Sequence, residues 1–147
     1  MKKTIRMLSF TLAIIMVLVM PAYAESAADT RGSVFFASYG TALEEISPMI
    51  FRIWFDVDAN VSMMDKLGVS EIVVYRSFDG QSGWTQTRTY DMDDYPGMID
   101  TNSYSHTGYV TYDTAITGYY YRARVTFYAK DSRGIGERDV YTEIILM

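Results

Sequence analysis

His106 is the only histidine among 147 residues, and no cysteine is present. These two facts bound the chemistry available. Thiol catalysis, disulfides, a lipid-modified cysteine and thiolate metal sites are excluded. A nucleophilic triad needs a histidine oriented by an acid and facing an exposed serine. Ser103 and Ser105 adjoin His106, but sequence neighbours rarely meet in that geometry, and no Gly-x-Ser-x-Gly segment occurs. His106 therefore reads as a loop residue capping a turn. Asp56, Asp58 and Asn60 imitate the start of a calcium-binding EF-hand loop. The match then fails, with Val61 where glycine is required and Leu67 where the bidentate glutamate is required. Asp91, Asp93 and Asp94 form a second acidic group, read as solvated turn acids. Paired carboxylates for glycoside hydrolysis depend on separation in space, and a domain this small offers little material for a deep cleft.

The first 24 residues read as a signal peptide. Lys2, Lys3 and Arg6 precede an apolar run over 8–20, Pro21 ends it, and Ala22-Tyr23-Ala24 is a small-x-small cleavage site. A polar spacer, 25–32, follows. The expectation is export of the Gram-positive type and a secreted, extracellular chain beginning at Glu25, with no membrane segment after cleavage. The leader holds three of the 13 basic residues and none of the 18 acids. Ten bases against 18 acids leave the remainder at −8. So acidic a domain has no electrostatic attraction to nucleic acid or anionic membrane, and neither is an expected partner.

Residues 33–147 alternate repeatedly between apolar and polar. Residues 118–128 are the anchor: Tyr119, Tyr121, Ala123, Val125 and Phe127 fall on one strand face, and Tyr120, Arg122, Arg124, Thr126 and Tyr128 on the other. Residues 50–58 alternate as cleanly, with Phe51, Ile53, Phe55 and Val57 opposite Arg52, Trp54, Asp56 and Asp58. A first strand is expected over 33–43, with Thr41 to Glu45 alternatively forming a helical turn. Residues 59–70 read as a connection with one helical turn at Met63 to Gly68, closed by the glycine. Residues 71–77 and 84–90 form a hairpin around Asp79-Gly80. The second arm is expected to place Trp84, Gln86, Arg88 and Tyr90 on one face. Residues 91–107 lack periodicity and contain Pro96-Gly97, the pattern of a functional loop or an irregular edge strand. Short strands follow at 109–113 and 138–147. This pattern predicts an all-β, single antiparallel β-sandwich of about seven strands.

Ile72-Val73-Val74-Tyr75-Arg76-Ser77-Phe78-Asp79-Gly80 with Trp84-Thr85, and Tyr119-Tyr120-Tyr121-Arg122-Ala123-Arg124-Val125, resemble the third and sixth strands of immunoglobulin-like sandwiches of the fibronectin type III kind. The resemblance implies that Tyr119 is the tyrosine of a tyrosine corner. Trp54 departs from the pattern, since it falls on the outward face, as does the length of the connection before the third strand. The chain also resembles a group of small, uncharacterised secreted proteins of Gram-positive bacteria. The similar segments are Ile53-Trp54-Phe55-Asp56-Val57, Met64-Asp65-Lys66-Leu67-Gly68-Val69, Asp94-Tyr95-Pro96-Gly97-Met98, Ser105-His106 and 121–128.

If the third, fourth and sixth strands share a sheet, as the resemblance implies, their outward residues become neighbours. The candidate ligand-binding residues are then Tyr75, Trp84, Arg88, Tyr120, Arg122, Arg124 and Tyr128, with Tyr90 beside them. Interleaved aromatic and arginine side chains on a flat face have the composition of a recognition surface. The same residues can instead stabilise the sheet through cross-strand stacking and cation–π pairs, and Glu143 is a candidate internal partner for the arginines. The function expected is non-enzymatic binding of an extracellular protein or the cell envelope, without a cofactor or metal. The alternatives are a carbohydrate-binding module for an envelope glycan and a small secreted hydrolase.

Overall fold

The computed structural model describes residues 34–147. The expected signal peptide, 1–24, and the spacer, 25–32, lie outside the described residues. The described chain is built of antiparallel strands: β1 (Phe36–Ser47), β2 (Ile50–Ala59), β3 (Met64–Ser77), β4 (Thr85–Asp91), β5 (Ile99–Ser103), β6 (Ser105–Tyr112), β7 (Tyr120–Asp131), β8 (Gly134–Tyr141) and β9 (Ile145–Leu146). One 3-10 turn, Pro96–Met98, precedes β5. A smaller sheet has the order β1-β2-β6. A larger one runs β4-β3-β7-β8, with β5 beside β3 and β9 beside β7.

The alternating segments bury what their pattern predicts. Phe51, Ile53, Phe55 and Val57 of β2 and Tyr121, Ala123, Val125 and Phe127 of β7 are all inaccessible to solvent or nearly so. They meet across the sandwich, with the rings of Phe51 and Tyr121 5.4 Å apart. Strand β3 adds Leu67, Val69, Ile72 and Val74 to the same core. That set changes parity because β3 carries a bulge. Val69 pairs with Phe127 and Glu71 with Thr126, so Ser70 is the extra residue and the inward phase resumes one position late. At Gly108 the fold needs the missing side chain. It pairs with Phe55 on β2, and a Cβ there would sit 2.6 Å from Phe55 Cζ.

Several expectations are corrected. Thr41 to Glu45 and Met64 to Gly68, expected as helical turns, are strand, and the loop before β3, which includes Met63, shrinks to four residues. Met, Lys and Leu favour helix locally, but pairing with β5 on one side and β7 on the other overrides that preference. The described residues form nine strands, against about seven expected of the sandwich, because 91–107 contains β5 and the start of β6, and the terminal run divides into β8 and β9. The tyrosine that accepts a backbone N–H at the turn into β7 is Tyr121, not Tyr119. The Ile116 N–H donates to Tyr121 Oη at 2.8 Å, five residues upstream. Tyr119 instead lies edge-on to Phe78 and beneath the Arg76 guanidinium.

Candidate functional site

The outer face of the larger sheet is organised around Arg122. In register with it on β3 is Tyr75, and β8 ends beside it at Tyr141. Trp84 arrives from the hairpin just before β4. The Arg122 guanidinium carbon lies 4.2 Å from the Trp84 ring centre, 4.9 Å from that of Tyr141 and 5.9 Å from that of Tyr75. Each is within the range of a cation–π contact. Arg122 Nε is shielded from solvent and lacks a hydrogen-bond partner among the described residues. No acid pairs with this guanidinium there, although the chain is acidic overall.

Arg124, two residues on, is in a different state. It forms an ion pair with Glu71 diagonally across the β3–β7 ladder, two residues from its register partner Val73. The acid from a neighbouring strand is thus Glu71. Glu143 is engaged elsewhere, accepting from the Leu43 N–H at 2.7 Å. Beyond Arg124 the face turns acidic. Glu71, Asp91, Asp93, Glu137 and Asp139 line a depression of about 410 Å³. Among the described residues, no three histidine, cysteine, aspartate or glutamate side chains converge as metal ligands. The face is therefore divided, with one uncompensated cation among aromatic rings at one end and carboxylates at the other.

Of the seven candidates, Tyr75, Trp84, Arg122 and Arg124 share this face as expected. Tyr120 belongs to it and is half-buried, with the hairpin turn close against it: a Cβ on Gly80 would meet the ring at 2.9 Å. Tyr128 is also on the outward side, yet it is 8% exposed, and burial, then the Glu137 carboxylate, pushes its hydroxyl pKa up. Arg88 and Tyr90 are corrected outright. Val74 pairs with Arg88 but Tyr75 pairs with Gln86, so Thr87 is a bulge. It flips the phase of β4: Gln86 stays outward, whereas Arg88 and Tyr90 turn toward the inner side beside Val74 and Ile72. Tyr141 is not evident from the sequence, because 138–147 reads as one strand. Buried Thr142 ends β8 there: its N–H donates to Ala123 O, and its Oγ1 accepts from the Ala123 N–H.

The inner-side placement of Arg88 builds a second feature, at the open flank between β4 and β6. Tyr90 donates its hydroxyl hydrogen to Thr111 O at 2.9 Å, joining the two sheets. Arg88 Nη1 donates to Tyr90 Oη at 3.3 Å and to Asp113 Oδ1 at 2.9 Å. The Tyr90 hydroxyl first and the Asp113 carboxylate second hold the guanidinium more firmly protonated than usual. His106 is structural in this arrangement. Its Nε2 is 2.9 Å from Gly97 O, so the ring donates from that nitrogen and ties the 3-10 turn to β6. The outer face of the smaller sheet carries its own cluster, where Arg52 lies 4.6 Å from the Tyr109 ring centre and Trp54 Nε1 donates to Glu44 at 2.6 Å.

No family model matches the chain, and no curated protein does. A solved structure of a protein from Archaeoglobus fulgidus is 6% identical in sequence. The alignment covers 76% of this chain and 97% of that one, with a TM-score of 0.36. At that level of likeness nothing about fold type or function follows. Arg122 and its rings therefore stand on their own geometry.

Proposed function

We propose that this chain is a secreted, non-enzymatic β-sandwich module that binds an extracellular or envelope protein through the face centred on Arg122. The observation that carries the reading is the guanidinium held against Trp84, Tyr141 and Tyr75 without an acid partner among the described residues. Arginine, tyrosine and tryptophan are the residues on which binding energy concentrates at protein interfaces. A partner presenting a carboxylate or backbone carbonyl to Arg122 supplies the missing acceptor. The rings are already fixed by the sheet, so little entropy is lost on binding.

The rings around Arg122 do not favour a sugar platform. Tyr75 and Tyr141 are inclined at 43° to each other, with the guanidinium close to both. The acidic depression at the other end favours a partner with mixed charge. The proposed compartment and the proposed membership in the group of small Gram-positive secreted proteins rest on the leader and the segments quoted above. The strand order β1-β2-β6 opposite β4-β3-β7-β8, together with the Tyr121 corner, supports a fibronectin type III-like type.

The test is capture from a solubilised cell-envelope fraction, comparing the wild-type chain with Arg122→Gln and Tyr141→Ser. Circular dichroism checks the fold of each. Retained partners are quantified, and affinity for any protein recovered with wild type should fall at least about tenfold, or about 1.4 kcal/mol, in each variant. A partner held equally by all three chains would remove this face from consideration.

A further inference from the structure

The flank between β4 and β6 holds a cleft of about 510 Å³ that the Arg122 face does not use. This volume is within the range of small-ligand sites. Its inner wall is apolar, with Met98 and Val110 almost fully buried. Tyr95 and Tyr109 are among its lining residues and remain 43% and 47% exposed. Both rings are braced from behind. Tyr95 lies edge-on to Tyr90 at 5.0 Å, and Tyr109 packs on Trp54 at 4.6 Å and on Arg52. The charged lining is Arg88, Asp94 and Asp113.

The chemistry of this lining selects among ligands. One guanidinium against two carboxylates leaves no excess positive charge to draw a phosphate or a carboxylate. Within the Arg88–Asp113 pair the protein uses Nη1 and Oδ1. Nη2 and Oδ2 make no hydrogen bond among the described residues. A donor and an acceptor side by side match two adjacent hydroxyls, one accepting and one donating. Asp94 adds a further acceptor with no side-chain bond within the described residues. Exposed tyrosine rings offer flat apolar faces for the C–H side of a pyranose ring.

We propose that this cleft binds a neutral pyranose unit, with Tyr95 and Tyr109 packing on the ring and Arg88, Asp113 and Asp94 engaging its hydroxyls. The site is separate from the Arg122 face and independent of it.

The test is a titration of the isotopically labelled chain, followed by backbone amide shifts, with chitotetraose and separately with cellotetraose up to about 10 mM, tenfold above a 1 mM dissociation constant. At least one sugar should shift amides of residues 95–98 and 110–113 and leave those of 122–124 unmoved. Asp94→Asn and Tyr95→Ala should each weaken that binding at least about tenfold while the spectrum stays dispersed. Asp94 is exposed and makes no side-chain contact the fold requires, so its variant keeps the test valid if Tyr95→Ala unfolds. Absence of shifts with both sugars would overturn the proposal. So would shifts that persist unchanged in Asp94→Asn, or shifts confined to the Arg122 face.

Discussion

Replacing Tyr121 by phenylalanine removes one oxygen and leaves the ring in place between Phe51 and Tyr112. That oxygen accepts the Ile116 N–H at 2.8 Å. Without it the amide at the β6–β7 corner loses its partner. An orphaned buried donor costs about 1–3 kcal/mol, and this one is only partly buried, so the lower part of the range applies: about 1–1.5 kcal/mol. With a urea m-value of about 1.5–2 kcal/mol/M, the midpoint should fall by about 0.5–1 M at constant m. Tyr119→Phe is the control, because the Tyr119 hydroxyl makes no hydrogen bond among the described residues, and its change should stay below about 0.5 kcal/mol. Urea melts followed by tryptophan fluorescence measure both. Equal losses in the two variants, or a larger loss in Tyr119→Phe, would refute the assignment of the corner to Tyr121.

Three further outcomes follow from the packing and the hairpin. Val125→Asp should abolish folding, since an unpaired carboxylate at a fully buried position costs several kcal/mol against a marginal total, and loss of the β-type circular dichroism spectrum would record it. Gly108→Ala should lower the melting temperature by the equivalent of about 1–3 kcal/mol, because its Cβ collides with the buried ring of Phe55. Asp79 is held well below the ordinary carboxylate range by the N–H of Ser82 and then of Gln81, with the Ser82 and Ser77 hydroxyls adding to this. Its folded pKa is depressed, so its stabilisation is present above the unfolded aspartate value near 4 and is lost as pH falls below it. Acid titration of the melting temperature should show a shallower decline in Asp79→Asn than in wild type.

The strands that alternate without interruption, β2 and the inward face of β7, were legible because period two and burial agree at every position. The pattern misleads where one residue breaks that period. Thr87 is the clearest instance. Read as unbroken, 84–90 puts Arg88 and Tyr90 outside; the bulge puts them at the flank, where they build the cleft. Nothing in Thr85-Gln86-Thr87-Arg88-Thr89 marks which threonine is extra, since the shift is set by how β4 meets β3. Of the Arg122 site, Tyr75, Trp84 and the arginine itself were readable. Tyr141 was not, because its position depends on where β8 stops, and a buried threonine reaching Ala123 decides that. Tyr128 has the right parity but is covered by neighbours remote in sequence, and Tyr120 is packed against by the hairpin turn, which parity does not report.

Strands β3 and β7 run the length of the larger sheet, but neither has one continuous neighbour on its outer side. β5 and β4 divide the outer side of β3, and β8 and β9 divide that of β7. Each border of the sheet is therefore a short ladder that halts and restarts, never a straight run of twelve free amides and carbonyls. An intruding strand from another molecule could register with one half only before meeting an offset. The Glu137-Arg138-Asp139 triplet adds charge at the middle of β8. Lacking any cross-link to hold a partly opened molecule together, this chain keeps the borders of its larger sheet fragmented, which denies edge-to-edge polymerisation a template there.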